Sequence, residues 1–170
     1  MITIDLLTGI LGSGKTTFLR EYARHWIEKG ENISILENDF GAVNVDVMLL
    51  QDLVCDRCQI TAIVGGGDKD CHRRRFKTQL INLSMQGVDR VIMEPSGIFD
   101  MDEFFDTLHE SPIDRWYHIG CILSVVDAGL EETLTEQMEY LLASEAACAG
   151  KLLLSLLHQH AQPLRLVVGH

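Results

Sequence analysis

A glycine-rich loop constrains the fold of this chain more than any other feature. Residues 9–16 read G-I-L-G-S-G-K-T, which matches the pattern G-x-x-x-x-G-K-[ST]. The apolar run Ile2–Leu7 precedes the loop, and an amphipathic pattern from Lys15 to Lys29 follows it. The residues that let this backbone turn tightly around an anion are Gly9, Gly12 and Gly14. The sequence therefore predicts a phosphate-binding loop between a strand and a helix.

The side chains of this loop fit a nucleoside triphosphate with magnesium. Lys15 supplies an ammonium group for the β- and γ-phosphates, and the hydroxyl of Thr16 is a magnesium ligand. The helix that begins at Lys15 directs the positive end of its dipole at the same anion. We expect the following loop residues to contact the nucleotide: Gly9, Gly12, Ser13, Gly14, Lys15, Thr16 and Thr17.

Short β-branched runs alternate with amphipathic stretches along most of the chain. This pattern predicts an α/β fold of the P-loop NTPase class, with a mostly parallel sheet and helices on both faces. Further strands are expected at Ile33–Leu36, Arg90–Met93, Cys121–Val126 and Lys151–Ser155, and further helices at His72–Gln86, Asp102–Leu108 and Glu131–Ala149. Residues 55–71 are expected to be rich in loops. One domain, incomplete at its carboxyl end, is expected over residues 1–155, with an atypical tail over residues 156–170.

Two further polar segments follow predicted strands. The segment E-P-S-G at residues 94–97 places a carboxylate at the carboxyl end of a strand, where ligands bind in open α/β sheets. We expect Glu94 to face the magnesium shell or its water, and the N–H of Gly97 to approach a γ-phosphate. A simple turn built on Pro95 and Gly97 is the alternative. The second segment, E-N-D-F-G-A-V-N-V-D at residues 37–46, suits a mobile loop that orders around magnesium.

Composition narrows the class of protein. The net charge of −11 argues against a nucleic-acid binder, because phosphate backbones need clustered Lys and Arg. The amino terminus lacks the basic flank of a targeting signal, and the later apolar stretch Leu152–Leu157 is too short to span a membrane. An odd set of five cysteines favours reduced thiols in the cytoplasm over a disulfide framework.

Four motifs together resemble the CobW-like family of P-loop GTPases, which are related to the HypB and UreG proteins. They are T-G-I-L-G-S-G-K-T-T at residues 8–17, the two segments at 37–46 and 94–97, and S-V-V-D-A at 124–128. The glutamate of E-P-S-G is fairly specific, because most other P-loop GTPases carry aspartate there. The resemblance covers roughly residues 2–155.

The resemblance implies a GTP-hydrolysing metallochaperone or metal-insertion protein that delivers a metal ion to a client metalloprotein. Lys15 would hold the phosphates, Thr16 and Glu94 would serve magnesium, and residues 37–46 would act as the switch. Lys15, Glu94 and Asp46 are then the expected catalytic residues. Glu37 and Asp39 would belong to the magnesium shell. Relatives of this type often work as dimers, so a homodimer is also expected.

The first departure from the family pattern concerns metal-binding cysteines. Family members usually carry C-x-C-C before the helix that leads to the E-P-S-G strand, whereas this chain has G-G-G-D-K-D-C-H there. Cys55 and Cys58 form a C-x-x-C pair upstream. With Cys71, and His72 or a water as the fourth ligand, they could hold zinc or another soft transition metal. Alternatively, Cys55 and Cys58 are ordinary, partly buried residues.

The second departure concerns the nucleotide base. A guanine-specific site needs an aspartate after the strand Lys151–Ser155, and none follows Asp127. The choice of guanine over adenine therefore rests on the resemblance. His158 and His160 in the tail could bind a metal or lie exposed to solvent. The alternatives to the GTPase hypothesis are a nucleotide- and metal-binding regulatory module without efficient hydrolysis, and a small-molecule kinase.

Overall fold

The structure is a computed structural model that describes residues 1–10, 12–39, 45–64, 69–95, 101–129, 147–155 and 165–166, with residues 135, 139–140 and 142–143. Its strands, numbered along the chain, are β1 Ile2–Gly9, β2 Ile33–Asp39, β3 Cys58–Val64, β4 Arg90–Pro95, β5 Tyr117–Asp127, β6 Lys151–Ser155 and β7 Arg165–Leu166. Its helices are α1 Lys15–Glu28, α2 Val45–Leu50, α3 Lys69–Met85 and α4 Met101–His109. Short 3-10 turns lie at Gln51–Leu53 and Ile113–Arg115.

All strands of the described chain join one sheet in the order β3-β2-β4-β1-β5-β6-β7. Strands β1 to β6 pair in parallel, and only β7 pairs antiparallel, against β6. β1 therefore lies inside the sheet with β4 and β5 as neighbours. Because all parallel strands end at the same edge, the residues after β1, β2 and β4 lie along one edge of the sheet.

Helices cover both faces of the sheet, as the alternation of side chains along the strands requires. On one face, Ile4 and Leu6 of β1 lie in a core with Phe76 of α3 and Phe104 of α4. On the other face, Leu7 lies in a second core whose helical members include Leu19 and Ala23 of α1 and Leu50 of α2. The α/β fold with a mostly parallel sheet and helices on both faces is thus confirmed.

A buried carboxylate stands in the middle of β1, where an apolar residue would be expected. Asp5 is 1% exposed and accepts hydrogen bonds from Arg90 Nη1 at 2.5 Å and from the Tyr22 hydroxyl at 2.9 Å. The guanidinium of Arg90 also stacks on Trp26, with its Cζ 3.5 Å from the ring centroid. Burial and the nearby Asp5 raise the pKa of Tyr22, which keeps its hydroxyl protonated as a donor.

The same carboxylate accommodates an irregularity between β1 and β5. The strand register shifts between Ile4 and Leu6, and Asp5 Oδ1 accepts the backbone N–H of Cys121 at 2.7 Å. A Cβ at Gly120 would lie 2.3 Å from that carboxylate oxygen, so only glycine fits without displacing Asp5. Asp5 therefore supplies a hydrogen-bond acceptor for the Cys121 amide at the point where the strand register shifts.

Two expectations about secondary structure are wrong, and the tail contains a short strand for which there was no expectation. Residues 55–71 are not a loop-rich stretch, because Cys58–Val64 forms β3 and α3 begins at Lys69. β5 begins at Tyr117 rather than Cys121, and Arg165–Leu166 of the tail pairs with β6. Most of the helix expected over residues 131–149 lies outside the described residues. No helix in the described part of the chain is long and apolar enough to cross a membrane.

Candidate nucleotide site

The phosphate loop leaves β1 at Gly9 and ends at the first residue of α1. Gly9, Gly12 and Gly14 all have positive φ angles, of 141°, 82° and 92°, which glycine adopts without the strain of a Cβ. At Gly9 a Cβ would also lie 2.3 Å from the carbonyl oxygen of Val125 in β5. The start of the loop therefore packs closely against β5, and the turn there requires glycine at position 9.

Lys15 folds back over the beginning of this loop. Its Nζ donates to the carbonyl oxygens of Gly9 at 2.8 Å and Ile10 at 3.2 Å. The N–H of Ser13 donates to the carbonyl of Ile10 at 3.1 Å, which closes the turn, and Ser13 itself is buried. The ammonium group is thereby held beside the loop backbone, where it can meet a phosphate.

The start of α1 suits an anion. Gly14 is the N-cap residue and offers no side-chain cap, and the first turn contains no acidic residue that would compete with an anion. Thr16 is partly buried in this turn, whereas Thr17 is exposed. The backbone N–H groups, the helix dipole and Lys15 all favour negative charge at the same place.

Two buried carboxylates stand at the carboxyl ends of neighbouring strands. Glu37 of β2 is 2% exposed and Glu94 of β4 is 3% exposed, and their Cα atoms are register partners. By alternation, Glu37 continues the row of Ile33 and Ile35 on β2, which face α1. Glu94 likewise continues the row of Ile92, which faces the same core. Both carboxylates therefore belong to the sheet face that carries α1 and the phosphate loop.

A pair of buried carboxylates in adjacent strands fits a divalent cation. Burying an isolated ionised carboxylate is costly, whereas a cation or a hydrogen bond offsets that cost. Magnesium prefers oxygen ligands and uses one or two protein carboxylates together with phosphate oxygens. Glu94, Glu37 and the Thr16 hydroxyl are three described groups whose chemistry suits Mg²⁺ at this edge.

Several expected site residues lie partly or wholly outside the described structure. Gly97 falls in residues 96–100, which are not described. Asp39 is the last residue of β2, with its Cα paired to Val64, and Asp46 lies in the first turn of α2. The side chains of these two aspartates are outside the described part.

The three cysteines expected to bind zinc are not brought together. Cys55 and Cys58 face each other across a tight turn, with reciprocal backbone hydrogen bonds of 3.0 and 3.1 Å. Cys71 lies in α3 beside Ala62 of β3, and a strand rise of about 3.3 Å per residue puts Ala62 roughly 13 Å from Cys58. No group of three metal-binding side chains occurs within the described residues.

Cys58 is a buried thiol at the start of β3. Burial, and to a lesser degree the neighbouring Cys55, raise the pKa of the Cys58 thiol to about 12. Without a bound cation, a thiol with this pKa stays protonated at neutral pH. His72 packs instead toward α4, with its Nδ1 3.6 Å from Glu103 Oε1. Within the described residues, Cys55, Cys58, Cys71 and His72 are therefore not gathered into one site. His158 and His160 lie outside the described residues.

Sequence reasoning missed the buried ion pair between Asp5 of β1 and Arg90 of β4. Asp5 interrupts an apolar strand, which is the signal in the sequence that a buried partner exists. That partner, Arg90, begins a strand far along the chain, and no local spacing connects the two residues. A charge in a buried strand predicts that a partner is needed, but not which residue provides it.

Comparison with known proteins agrees with this geometry. The family model of the CobW/HypB/UreG nucleotide-binding domain matches residues 3–161. The zinc chaperone YjiA of Escherichia coli K12 is 32% identical over 135 residues, which cover 75% of this chain and 41% of the relative. The zinc chaperone YeiR of the same organism is 30% identical over 131 residues, which cover 76% of this chain and 39% of the relative. The chain thus spans about two fifths of the length of these relatives.

Solved structures support the fold. The signal recognition particle receptor FtsY of Elizabethkingia anophelis superposes with a TM-score of 0.63 at 18% identity, over 94% of this chain and 52% of that chain. A zinc-bound triple mutant of YjiA GTPase superposes with a TM-score of 0.57 at 23% identity, over 90% of this chain and 48% of that chain. The sheet and its phosphate loop therefore share the fold of these two structures.

Proposed function

The chain belongs to the CobW/HypB/UreG family through its nucleotide-binding domain, and we propose that it binds and hydrolyses GTP with Mg²⁺ in the service of metal delivery. The observation that carries this proposal is the arrangement of Lys15, in its glycine loop, with Glu37 and Glu94 on the sheet face that α1 covers. A cation would balance the two carboxylates of such a site, and a triphosphate would balance Lys15.

Binding is assigned to the loop and the start of α1. The backbone N–H groups of Gly9, Gly12, Ser13 and Gly14 and of the first turn would donate to phosphate oxygens, and Lys15 would exchange its carbonyl acceptors for the β- and γ-phosphates. Thr16 and Glu94 would hold Mg²⁺ directly, with Glu37 and Asp39 in its surroundings. Thr17 and Gly97 would complete the contacts to the nucleotide.

Hydrolysis is an in-line attack of water on the γ-phosphorus. When bound, Mg²⁺ neutralises charge that develops on the phosphate oxygens. Lys15 stabilises the same charge from the loop side. Glu94 would serve the Mg²⁺ shell and its water, and Asp46, in the first turn of α2, would help to orient the attacking water. We assign no arginine of the chain to stabilising the charge that develops on the γ-phosphate, so turnover without a partner is expected to be slow.

The proposal of metal delivery rests on the relatives, whose names describe zinc chaperones. We propose zinc as the cargo, passed on to a client metalloprotein, and a homodimer as the working state. A zinc-bound structure of a YjiA mutant is consistent with this cargo. We also propose a cytoplasmic location, since all five cysteines are free thiols.

A second candidate is a regulatory module that binds nucleotide and metal without efficient hydrolysis. The observation that favours it is the lack of any aspartate after Asp127 in the sequence, so the residue that usually reads guanine is missing. The two candidates make different predictions for turnover, whereas both require Lys15 for binding.

Release of inorganic phosphate from GTP, with and without Mg²⁺, tests the enzymatic proposal. Lys15→Ala should lower the Mg²⁺-dependent rate by at least about a hundredfold, because the ammonium group stabilises charge in the transition state. Lys29→Ala is the matched control, since Lys29 is exposed at the other end of α1. Release that is equal in wild type and Lys15→Ala would contradict the proposal. Tight binding without release would favour the second candidate.

A further inference from the structure

Arg20 connects α1, the helix that follows the phosphate loop, to the short helix α2. Its Nη1 donates to the backbone carbonyl of Leu49 at 3.2 Å, and its Nη2 lies 2.5 Å from Asp52 Oδ2. Leu49 belongs to the last turn of α2, and Asp52 belongs to the 3-10 turn that follows it. One guanidinium can bind both acceptors because its N–H groups form a rigid fork. We call this pair of contacts the Arg20 bridge.

The Arg20 bridge adds a directional contact to an apolar one between the same elements. Leu19 of α1 is buried in the same core as Leu50 of α2 and Leu53 of the 3-10 turn. Leu19 and Arg20 are adjacent in α1, so the apolar and polar contacts leave the same turn of the helix. Apolar burial holds two helices together without fixing one orientation, whereas hydrogen bonds are directional. Arg20 is therefore suited to fixing the orientation of α2 on α1.

The bridge links two parts of the candidate nucleotide site. Lys15 begins α1, and a helical rise of about 1.5 Å per residue puts Arg20 roughly 8 Å from it along the axis. Asp46 lies in the first turn of α2, about one helical turn before Leu49. Because α2 has only six residues, an anchor in its last turn also fixes the backbone of its first turn.

We propose that Arg20 is a positioning residue: by bridging α1 to the last turn of α2, it sets where Asp46 stands relative to the phosphate loop during hydrolysis. This inference rests on the proposed function, which assigns Asp46 to orienting the attacking water. Loss of the bridge would leave the phosphate loop able to bind nucleotide. It would slow the chemical step, because the orientation of the water contributes to the rate and not to the affinity.

A second arginine of α1 provides the matched control. Arg24 Nη2 lies 3.3 Å from the same Asp52 oxygen, and Arg24 Nη1 lies 2.8 Å from Glu21 Oε1 within α1. Arg24→Ala therefore removes a cation from the same helix and the same carboxylate, but it keeps the bond from Arg20 to the Leu49 carbonyl. Ion pairs at the surface often contribute nothing measurable, so this variant shows what such a pair alone is worth.

Phosphate release from GTP with Mg²⁺, and equilibrium binding of a fluorescent GTP analogue, separate positioning from binding. In Arg20→Ala, kcat should fall about fivefold, the upper end for an exposed pair, while the dissociation constant changes less than about twofold. Arg24→Ala should retain both values. The variant that combines Arg20→Ala with Asp52→Ala should be no slower than Arg20→Ala, because Asp52 acts through Arg20. An unchanged kcat in Arg20→Ala, an equal loss in Arg24→Ala, or an affinity that falls as much as kcat would each overturn the proposal.

Hydrogen exchange of backbone amides tests the bridge without relying on hydrolysis. Arg20→Ala should raise exchange in α2 and in the turn Gln51–Leu53 about fivefold, and it should leave β4 unchanged. Unchanged exchange in α2 would overturn the proposal even if hydrolysis slowed. A wild-type chain that releases no phosphate would contradict the proposed function together with this role of Arg20. A wild-type chain that releases phosphate as fast as Arg20→Ala does would contradict the role of Arg20 alone.

Discussion

Gly9 is the residue at which the phosphate loop leaves β1, and it has two independent reasons to be glycine. Its φ of 141° is strained for residues with a Cβ, and a Cβ there would lie 2.3 Å from the carbonyl oxygen of Val125. Backbone of a paired strand cannot move away cheaply, so the collision would shift the loop itself. The position of the loop against β5 therefore depends on this single residue.

We predict that Gly9→Ala lowers the free energy of unfolding by about 3 kcal/mol, the sum of left-handed strain and overpacking. Gly87→Ala is the control, because Gly87 has a φ of 72° but no atom lies within 4 Å of the place that an added methyl group would take. It should cost only about 1 kcal/mol. Urea unfolding at equilibrium measures both values. Equal costs for the two substitutions would show that the contact with Val125 has no energetic effect.

At the scale of residues, the sequence predicts the turns of the phosphate loop, whereas the expected cysteine ligands are not brought together within the described residues. The loop is a local structure whose glycines and lysine act within a few positions of one another, so spacing carries the geometry. The cysteine set requires a tertiary arrangement instead. Cys58 begins β3, whereas Cys71 lies beyond its other end, and spacing alone does not reveal that a strand separates them.

Ion pairs near the surface join α3 to Glu110, the residue that follows α4. Lys77 Nζ lies 2.6 Å from Glu110 Oε2, and Arg73 bonds the other oxygen of the same carboxylate. The hydrogen bonds from Lys77 and Arg73 lower the pKa of Glu110 below its usual value. α4 begins just after the segment that follows Glu94, so these pairs help to fix the helix beyond the candidate site.

We predict that Glu110 contributes pH-dependent stability. Its pKa is lower in the folded state, so its contribution is fully present above the unfolded pKa of about 4.3 and disappears as the pH falls through the folded value. The effect is modest because these side chains are partly exposed and solvent screens them. Unfolding of wild type and Glu110→Gln should therefore differ at pH 7 and converge as the pH is lowered toward about 3. A constant difference across this range would contradict the assigned cause.

At the scale of elements, strands with clear β-branched runs are predictable from the sequence, and the edge strand β3 is not. β3 follows a turn closed by Cys55 and Cys58 and precedes three glycines, so its short sequence resembles a loop. Its pairing with β2 decides its conformation, and that partner is not visible in a local window. The early start of β5 is missed for a similar reason, since Gly120 is required there by two side chains of β1, those of Asp5 and Thr3.

For the whole molecule, the strand order explains how separate motifs form one site. β2 and β4 lie side by side, which makes Glu37 and Glu94 register partners although one strand and two helices separate them in sequence. β4 in turn adjoins β1, from which the phosphate loop departs. Alternation then places both carboxylates on the face of α1. The sequence predicts that each carboxylate ends a strand, but the adjacency of the two strands is a property of the sheet.

The most direct test of the central claim is the stabilisation of the whole chain by nucleotide, measured as the shift of its urea unfolding midpoint. With Mg²⁺ and GTP at about 100 times the dissociation constant, the free energy of unfolding should rise by about 2.7 kcal/mol. ATP should give a smaller rise. Lys15→Ala and Glu94→Gln should remove most of the effect of GTP, while Lys29→Ala should retain it. An equal shift in wild type and Lys15→Ala, or no shift in wild type, would contradict the account.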